Sequence, residues 1–223
     1  IVSWNWDFGD GNVSTLQNPV HPYATSGSFV VTLIVSSNSG CSDTVQHTVI
    51  ADSLPEPLFT ALPVCFNDTT IFNDNSIAHG SPINSWFWDF GDGNTSVLQN
   101  PHHLYAAPGA YSVTLIVENT NGCSDMLVQN ATVYALPMAS FTYSGTCLNR
   151  DIYFSDASNP GTGTLQTWSW DFGDGIGFSA FQNPVYQYAV IDSFLVTLIV
   201  LDQFGCTDTT SDSIRVSPLP VSG

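Results

Sequence analysis

The feature that most constrains this chain is an internal repeat. The string Asn-Trp-Asp-Phe-Gly-Asp-Gly-Asn at residues 5–12 recurs with small changes at 87–94 and 169–176. Trp6, Trp88 and Trp170 are therefore 82 residues apart at each step. Because a register this strict marks copies of one structural unit, we predict three tandem copies of one domain and not a single large fold.

The domain boundaries are predicted at two short, stiff Leu-Pro linkers, Leu54-Pro55 and Leu136-Pro137. Phe59 and Phe141 open corresponding segments of the second and third repeats, and the first repeat has no counterpart of them. We therefore expect repeat 1 to lack its first strands, which an upstream stretch or another chain would have to supply. The predicted repeats are, in chain order, 1–52, 53–137 and 138–223.

Local patterns predict strands and turns throughout. In repeat 2, residues 112–118 alternate, with Val113, Leu115 and Val117 on one face. A turn ending at Gly122 and a second strand then complete a hairpin. About seven short strands per repeat, separated by Gly, Pro, Asn and Asp, predict an all-β fold of tandem immunoglobulin-like β-sandwiches arranged end to end.

The repeated motif resembles the polycystic kidney disease (PKD) domain family. In each copy, Trp-Asp-Phe-Gly-Asp-Gly is followed by Asn-Pro, then Tyr, then Val-Thr-Leu-Ile-Val. The third copy departs from the pattern only at Asp192, where the other copies have Gly. The resemblance implies β-sandwiches of PKD type. The settings of the cysteines also resemble PKD arrays in large cell-surface or secreted proteins of Bacteroidetes.

The repeated tryptophans can be interpreted in two ways, as core residues or as sugar-binding residues. An indole on a central strand fills the core of an immunoglobulin-like sandwich, whereas an exposed indole can stack on a sugar. We predict the core position for Trp6, Trp88 and Trp170. Trp86 and its counterparts lie two residues earlier on the same strand, so they share that face and are placed inside or at its rim.

The acidic pairs of the motif are predicted to be structural. Asp7, Asp89 and Asp171 each begin a Gly-rich turn, and Asp side chains accept hydrogen bonds from turn amides. Asp89 and Asp92 are weak candidates for Ca²⁺, which needs more oxygen ligands than one such turn offers. Catalysis is disfavoured because no partner with a tuned pKa repeats beside them. No other cofactor is expected.

Histidines occur in the loop after the motif, at His21 in repeat 1 and at His102 and His103 in repeat 2. Val185 and Tyr186 stand at the corresponding positions of repeat 3. A metal site would not survive that replacement in one copy, so we predict a packing role.

The amino-acid composition limits the kinds of partner and the location that can be expected for this chain. With 2 Lys and Arg against 19 Asp and Glu, the formal charge is −17, which excludes nucleic acid and anionic membrane surfaces as favoured partners. The longest apolar run, 194–201, is far shorter than the roughly 20 residues of a membrane span, so no membrane insertion is expected. Five cysteines in such a chain favour an oxidising, extracellular or cell-surface location.

Two cysteine pairings are compatible with the repeat. Pairing within each repeat gives Cys65–Cys123 and Cys147–Cys206. In an immunoglobulin-like sandwich, however, Cys65 and Cys123 should lie at opposite ends of one repeat, about 25 Å apart. Pairing between repeats joins Cys65 to Cys206, and leaves Cys123, Cys41 and Cys147 for partners outside the chain.

Several short Asp-Ser/Thr strings resemble the O-glycosylation sequon of Bacteroidetes. From this resemblance we predict that the protein is a glycoprotein. The candidate acceptors are Thr44, Ser53, Thr69, Thr209 and Ser213.

The function predicted from the sequence is a non-catalytic spacer or stalk of an extracellular adhesin or surface filament. The stretches that are identical between repeats are core and turns, as a spacer requires. Its partners would be neighbouring repeats of the same long chain or identical chains in a filament. The alternative is a carbohydrate- or protein-binding accessory module of a secreted hydrolase.

Overall fold

A computed structural model describes residues 1–219, which form only strands, turns and loops. The strands of repeat 1 are β1 (Ser3–Asp7), β2 (Val13–Ser14), β3 (Gly27–Ser36) and β4 (Ser42–Ala51). The strands of repeat 2 are β5 (Phe59–Ala61), β6 (Val64–Cys65), β7 (Thr70–Asp74), β8 (Ile83–Asp89), β9 (Thr95–Ser96), β10 (His102–His103), β11 (Gly109–Asn119) and β12 (Ser124–Tyr134). The strands of repeat 3 are β13 (Phe141–Ser144), β14 (Ile152–Asp156), β15 (Leu165–Asp171), β16 (Phe178–Ser179), β17 (Val185–Tyr186), β18 (Ser193–Asp202) and β19 (Thr207–Arg215).

The chain is organised in two compact units, and repeat 2 contributes strands to both. The first unit comprises Ile1–Thr60, Asn73–Pro101 and Val113–Gln129, and the second comprises Ala61–Phe72, His102–Ser112 and the chain from Asn130 onward.

Repeat 1 consists of one antiparallel sheet with the strand order β2-β1-β3-β4. The long strands β3 and β4 pair over their whole length, from Gly27 opposite Ala51 to Ser36 opposite Ser42. Most of β4 is exposed, including the apolar side chains of Val45 and Val49. The inner face of this sheet is therefore open.

In repeat 2 the predicted hairpin strands are present. From Val113 to Asn119, every second side chain of β11 is buried, and Val113, Leu115 and Val117 are fully inaccessible. This confirms the alternation read from the sequence. The neighbouring strand β8 pairs with β11 and with β9, and it places Trp88 opposite Leu115.

Repeat 3 is a two-layer sandwich. One sheet has the order β13-β14-β17 and the other has the order β16-β15-β18-β19. Trp170 fills the space between them, because its ring contacts Phe141 and Phe154 of the first sheet at centroid distances of 5.2 and 5.6 Å. The predicted fold class of all-β, immunoglobulin-like sandwiches is confirmed. The end-to-end arrangement and the domain boundaries remain predictions.

Across residues 1–219, no helix has the length and apolar character that a membrane span requires.

Candidate functional site at the joints between repeats

A cysteine lies beside the end of the last strand of repeat 2. Strand β6 runs parallel to the end of β12, with Val64 opposite Val133 and Cys65 opposite Tyr134. The amide of Phe66 donates to the carbonyl of Tyr134 at 2.8 Å. Cys65 is therefore held where the chain leaves repeat 2 and enters repeat 3.

A disulfide crosses this joint. The sulfur atoms of Cys65 and Cys206 are 2.02 Å apart, their Cα atoms are 5.6 Å apart, and 141 residues of sequence separate them. Cys206 is buried. The structure thus contains the inter-repeat pair, and Cys41, Cys123 and Cys147 are free thiols. The intra-repeat pairing is absent because Cys65 is fixed at the exit of its repeat, whereas Cys123 precedes the strand that leads to that exit.

Aromatic packing reinforces the same joint. The rings of Tyr134 and Phe204 are stacked, with centroids 3.7 Å apart and planes 7° from parallel. Gly161 has a φ of +67°, and a Cβ atom there would lie 2.5 Å from the carbonyl oxygen of Leu136. The linker after Tyr134 can therefore approach repeat 3 this closely only because residue 161 is glycine.

Asp202 shapes the turn that carries Cys206. One carboxylate oxygen, Oδ1, accepts hydrogen bonds from the amides of Phe204 and Cys206, both at 2.9 Å. The side chain is buried, and within residues 1–219 its other oxygen, Oδ2, has no hydrogen-bond partner. These bonds fix the cysteine and the stacked phenylalanine in one rigid turn.

The joint between repeats 1 and 2 is built from polar groups. The carboxylate of Asp52 accepts hydrogen bonds from the amides of Ser53 and Ser81 and from the side-chain amides of Asn119 and Asn121, at 2.9 to 3.3 Å. Hydrogen bonds from the Ser81 side chain, with the Ser81 and Ser53 amides and Asn121, lower the pKa of Asp52 although desolvation opposes ionisation. Asp52 is therefore an ionised centre that joins the end of repeat 1 to repeat 2.

The two joints use equivalent positions for different chemistry. Asp52 and Tyr134 are 82 residues apart, and Asn121 and Phe204 are 83 apart, which matches the spacing of the repeats. A carboxylate and an amide in one joint are replaced in the other by two stacked rings next to a disulfide. The thiol of Cys123, the counterpart of Cys206, is partly exposed at the polar joint.

The acidic pairs of the repeated motif hold turns. In repeat 2, Oδ1 of Asp89 accepts from the amide of Gly91 at 2.9 Å, and Oδ1 of Asp92 accepts from the amide of Asn94 at 3.0 Å. Gly93 has a φ of +92°, as a turn reversing the chain requires. The corresponding bonds in the other repeats join Asp7 to Gly9 and Asp171 to Gly173.

In repeat 1, His21 packs against the same turn. Its ring stacks on Phe8 at a centroid distance of 4.0 Å, and its Nε2 lies 2.8 Å from Oδ2 of Asp10. Desolvation favours the neutral acid at Asp10, but hydrogen bonds from Asn12 and His21 outweigh it and lower the pKa of Asp10 to about 2. His21 therefore has the geometry of a packing residue tied to an ionised carboxylate.

Tyr186 takes over this role in repeat 3. Its ring stacks on Phe172 at 4.1 Å, and its hydroxyl donates to Oδ2 of Asp174. Desolvation, followed by the hydrogen bond and the charge of Asp174, raises the pKa of Tyr186 to about 12. Because a phenol and an imidazole occupy the position in the same way, the geometry agrees with the predicted packing role.

A second carboxylate cluster was not foreseen from the sequence. Oδ2 of Asp156 accepts from the indole N–H of Trp168 at 2.8 Å and from the side-chain amide of Gln182 at 3.0 Å, while Oδ1 accepts from the Ser158 amide at 3.0 Å. Repeat 2 has the same arrangement at Asp74, with bonds from Trp86, Gln99 and Ser76. The 82-residue spacing of the two aspartates was the signal that could have identified them.

The comparison with known families decides the identity of these repeats. The sequence matches the PKD domain over residues 1–51, 55–135 and 134–216, which is nearly the whole described chain. The chain belongs to the PKD domain family. Three matches to the PKD domain follow one another along the chain.

Among known proteins, single segments of this PKD chain are similar to parts of much longer enzymes. A microbial collagenase of Vibrio alginolyticus is 44% identical over 54 residues, 24% of this chain and 7% of the collagenase. Collagenase ColQ1 of Bacillus cereus is 51% identical over 49 residues, 22% of this chain and 5% of that protein. The PKD1 domain of the Vibrio cholerae metalloprotease PrtV is 31% identical, with a TM-score of 0.34, 36% of this chain covered and 96% of that domain. The chain therefore spans only a small fraction of the length of its curated relatives.

The tryptophans of the repeated motif differ in burial between PKD repeats. Trp88 and Trp170 are fully buried, and each indole N–H donates to a carbonyl, of Leu98 and Phe181 respectively, at 2.9 Å. Trp6 makes the same kind of bond to Leu16 but is only partly buried, on a sheet whose side chains Val45 and Val49 are also exposed. The core prediction describes repeats 2 and 3, and repeat 1 departs from it.

The remaining predicted sites are the Ca²⁺ candidates and the glycosylation candidates. In residues 1–219, no cluster of three or more His, Cys, Asp or Glu side chains has the geometry to hold a metal ion. The Oδ1 atoms of Asp89 and Asp92 accept hydrogen bonds from turn amides. A Ca²⁺ site at these two residues stays a prediction. Of the glycosylation candidates, Ser53 is partly buried, and four are exposed: Thr44, Thr69, Thr209 and Ser213.

The carboxylate cluster of repeat 3 predicts acid sensitivity. Desolvation raises the pKa of Asp156, but the bonds from Ser158, Gln182 and Trp168 outweigh it and lower that pKa. A carboxyl with a lowered folded-state pKa stabilises the fold above its unfolded value of about 4 and loses that contribution as the pH falls further. We expect the free energy of unfolding to fall below pH 4 and to fall less steeply in Asp156→Asn.

Chemical denaturation followed by circular dichroism between pH 7 and pH 2.5 measures this slope. Asp212→Asn, on an exposed position of β19, removes the same charge and controls for net charge. Equal slopes for Asp156→Asn and Asp212→Asn would contradict the expected role of Asp156.

Proposed function

We propose that this PKD chain is a non-catalytic spacer of an extracellular protein, such as the stalk of an adhesin or surface filament. The observation that carries the proposal is the covalent bond between Cys65 of one repeat and Cys206 of the next. A disulfide within one repeat would stabilise only that repeat. A disulfide between repeats instead restrains their relative movement and transmits force across the linker.

The chemistry of the joints supports an extracellular setting for this spacer. A stable disulfide requires an oxidising compartment. The strongly acidic surface suits a protein that stays soluble and does not bind nucleic acid. The proposal also includes O-glycosylation at the exposed Asp-Ser/Thr strings, which resemble the Bacteroidetes sequon. It further includes membership in a surface protein of Bacteroidetes type, which the settings of the cysteines suggest.

The second candidate is an accessory module of a secreted hydrolase that binds protein or carbohydrate. The similarity of single segments to collagenases favours it, since the matched segment makes up only 7% of the Vibrio enzyme. Co-sedimentation of the chain with insoluble collagen or polysaccharide separates the two candidates. The spacer predicts that the chain stays in solution with both.

Small-angle scattering tests whether the repeats form a rigid spacer. With strands of about ten residues at 3.3 Å per residue, three repeats placed end to end predict a largest dimension on the order of 100 Å. We expect the oxidised chain to give one narrow distribution of shapes, and Cys206→Ser to give a wider one. Cys147→Ser, which removes a free thiol, is the matched control. A compact particle, or identical distributions for all three proteins, would contradict the proposal.

A further inference from the structure

Three large apolar side chains are exposed around the Gly-rich turn of repeat 3. Ile176 lies in the turn, Phe178 begins β16 and Leu195 lies near the start of β18, and they are 82%, 67% and 59% exposed. The turn contacts β18, because a Cβ atom at Gly173 would lie 2.3 Å from the carbonyl oxygen of Leu195. We call these three side chains the turn patch. Clustered apolar surface of this kind marks an interaction site in a soluble protein.

The strand register places two members of the turn patch on the outer face of one sheet. Phe178 lies opposite Asp171, and Asp171 lies opposite Thr197. Directly opposite residues share a face, and so do alternate residues of one strand. Leu195, two residues before Thr197, therefore lies on the same face as Phe178. The residues on either side of Leu195 in the sequence include a buried one at each flank, on the core side of the sheet.

Repeat 2 shows that the fold does not require an apolar turn patch. The counterparts there are Asn94, Thr95 and Ser112, with Gly177 as one inserted residue in repeat 3. These polar residues are exposed although another repeat follows repeat 2. The apolar character of the turn patch is therefore explained neither by the fold nor by a following repeat. The counterparts in repeat 1 include no aromatic residue and are Asn12, Val13 and Val30.

The backbone of the turn patch is held rigidly. Oδ1 of Asp174 accepts hydrogen bonds from the amides of Ile176 at 3.1 Å and Gly177 at 2.8 Å. The amide of Phe172 donates to the carbonyl of Gly177 at 3.0 Å. A Cβ atom at Gly177 would lie 2.4 Å from the ring of Tyr186, so the turn closes tightly on that ring. A partner would therefore bind a preformed surface, and little conformational entropy would be lost on this side of the contact.

The charges around the turn patch select the chemistry of the partner. The Asp171 carboxylate lies opposite Phe178. Desolvation raises the pKa of Asp174, but the hydrogen bond from Tyr186 and those from turn amides outweigh it and lower that pKa. Arg215 is the one arginine on this sheet, and the chain as a whole has a formal charge of −17. A second copy of the chain would bring like charges together, whereas a partner rich in Lys or Arg is attracted.

The side chains of the turn patch suit a polypeptide better than a sugar. Two of the three are aliphatic, so they bury apolar surface against a partner but have no aromatic ring to stack on a sugar. An exposed aromatic side chain with aliphatic neighbours is the composition found in the buried centre of protein–protein interfaces.

We propose that the turn patch is a docking surface for a separate, basic polypeptide, whose apolar side chains cover Phe178 and Leu195. Lys or Arg side chains of the partner lie beside the carboxylates of Asp171 and Asp174. This surface is additional to the spacer role and independent of the disulfide. Its failure would leave the spacer intact, because the scattering experiment measures the joints and not this face.

A short synthetic peptide of alternating Lys and Leu residues tests the proposal, with binding to the oxidised chain measured by fluorescence anisotropy. The double substitution Phe178→Thr with Leu195→Ser introduces the residues of repeat 2 and is expected to weaken binding about tenfold. Tyr153→Thr with Val185→Ser is the matched control, since it removes an exposed aromatic–aliphatic pair from the other sheet of repeat 3. We expect this control to bind as the unaltered chain does.

Changes to the peptide and a transfer of the patch complete the test. Peptides with Ser in place of Leu, or Glu in place of Lys, are each expected to bind about tenfold more weakly. Thr95→Phe with Ser112→Leu is expected to create a second binding site in repeat 2, which keeps the test valid if the repeat 3 variant does not fold. The proposal would be overturned by absence of binding, by equal affinity for the unaltered chain and the Phe178→Thr, Leu195→Ser variant, by tighter binding of a neutral oligosaccharide such as cellohexaose, or by a dimer that these two substitutions abolish.

Discussion

Replacing Trp170 by alanine is expected to lower the free energy of unfolding of repeat 3 by about 3–5 kcal/mol, the range for removing a large buried aromatic side chain. The indole is fully buried between two sheets and packs on Phe141, Phe154 and Phe172. Its removal leaves a cavity and an unpaired carbonyl at Phe181, which accepts the indole N–H.

The same replacement at Trp6 is expected to cost about 1 kcal/mol or less, because a side chain on an uncovered sheet loses little buried area. Equilibrium denaturation of the two variants, followed by far-ultraviolet circular dichroism, measures both values. Trp88→Ala is the internal comparison and should behave like Trp170→Ala. A cost at Trp6 equal to that at Trp170 would mean that the face of the repeat 1 sheet that carries Trp6 is covered in solution.

The sequence was sufficient to predict much of this fold, since the 82-residue register and the alternation in residues 112–118 follow directly from strand geometry. The burial of Val113, Leu115 and Val117 agrees with that prediction. The position of Cys65 beside Tyr134 depends on a two-residue strand. Such a short element has too few residues for a periodic pattern, and the sequence alone therefore left two cysteine pairings open.

Other features of the joints could not be read from the sequence for a different reason. Asp52 looks like one of many aspartates, and only the folded chain brings it to Ser81, Asn119 and Asn121, up to 69 residues away. Asp74 could have been recognised from its equivalent in repeat 3, but its role depends on the indole of Trp86, which lies on another strand. Contacts between distant segments leave no local periodicity.

The inter-repeat disulfide should change the response of the chain to force more than any other single bond. When the chain is pulled from its ends, force crosses from Cys65 to Cys206 and bypasses the strands between them. The disulfide closes a loop with a sequence separation of 141, which excludes about 500 Å of extended chain from the extension at roughly 3.6 Å per residue. Disulfides within repeats would instead exclude two separate lengths of chain, of about 200 Å each, from the extension.

Single-molecule force extension of the oxidised and the reduced chain is the most direct test of the covalently linked spacer. We predict that the oxidised chain and Cys147→Ser lack about 500 Å of extension, and that reduction or Cys206→Ser restores it together with the unfolding steps of the bypassed strands. Equal extension before and after reduction, or release in two steps of about 200 Å, would contradict the account.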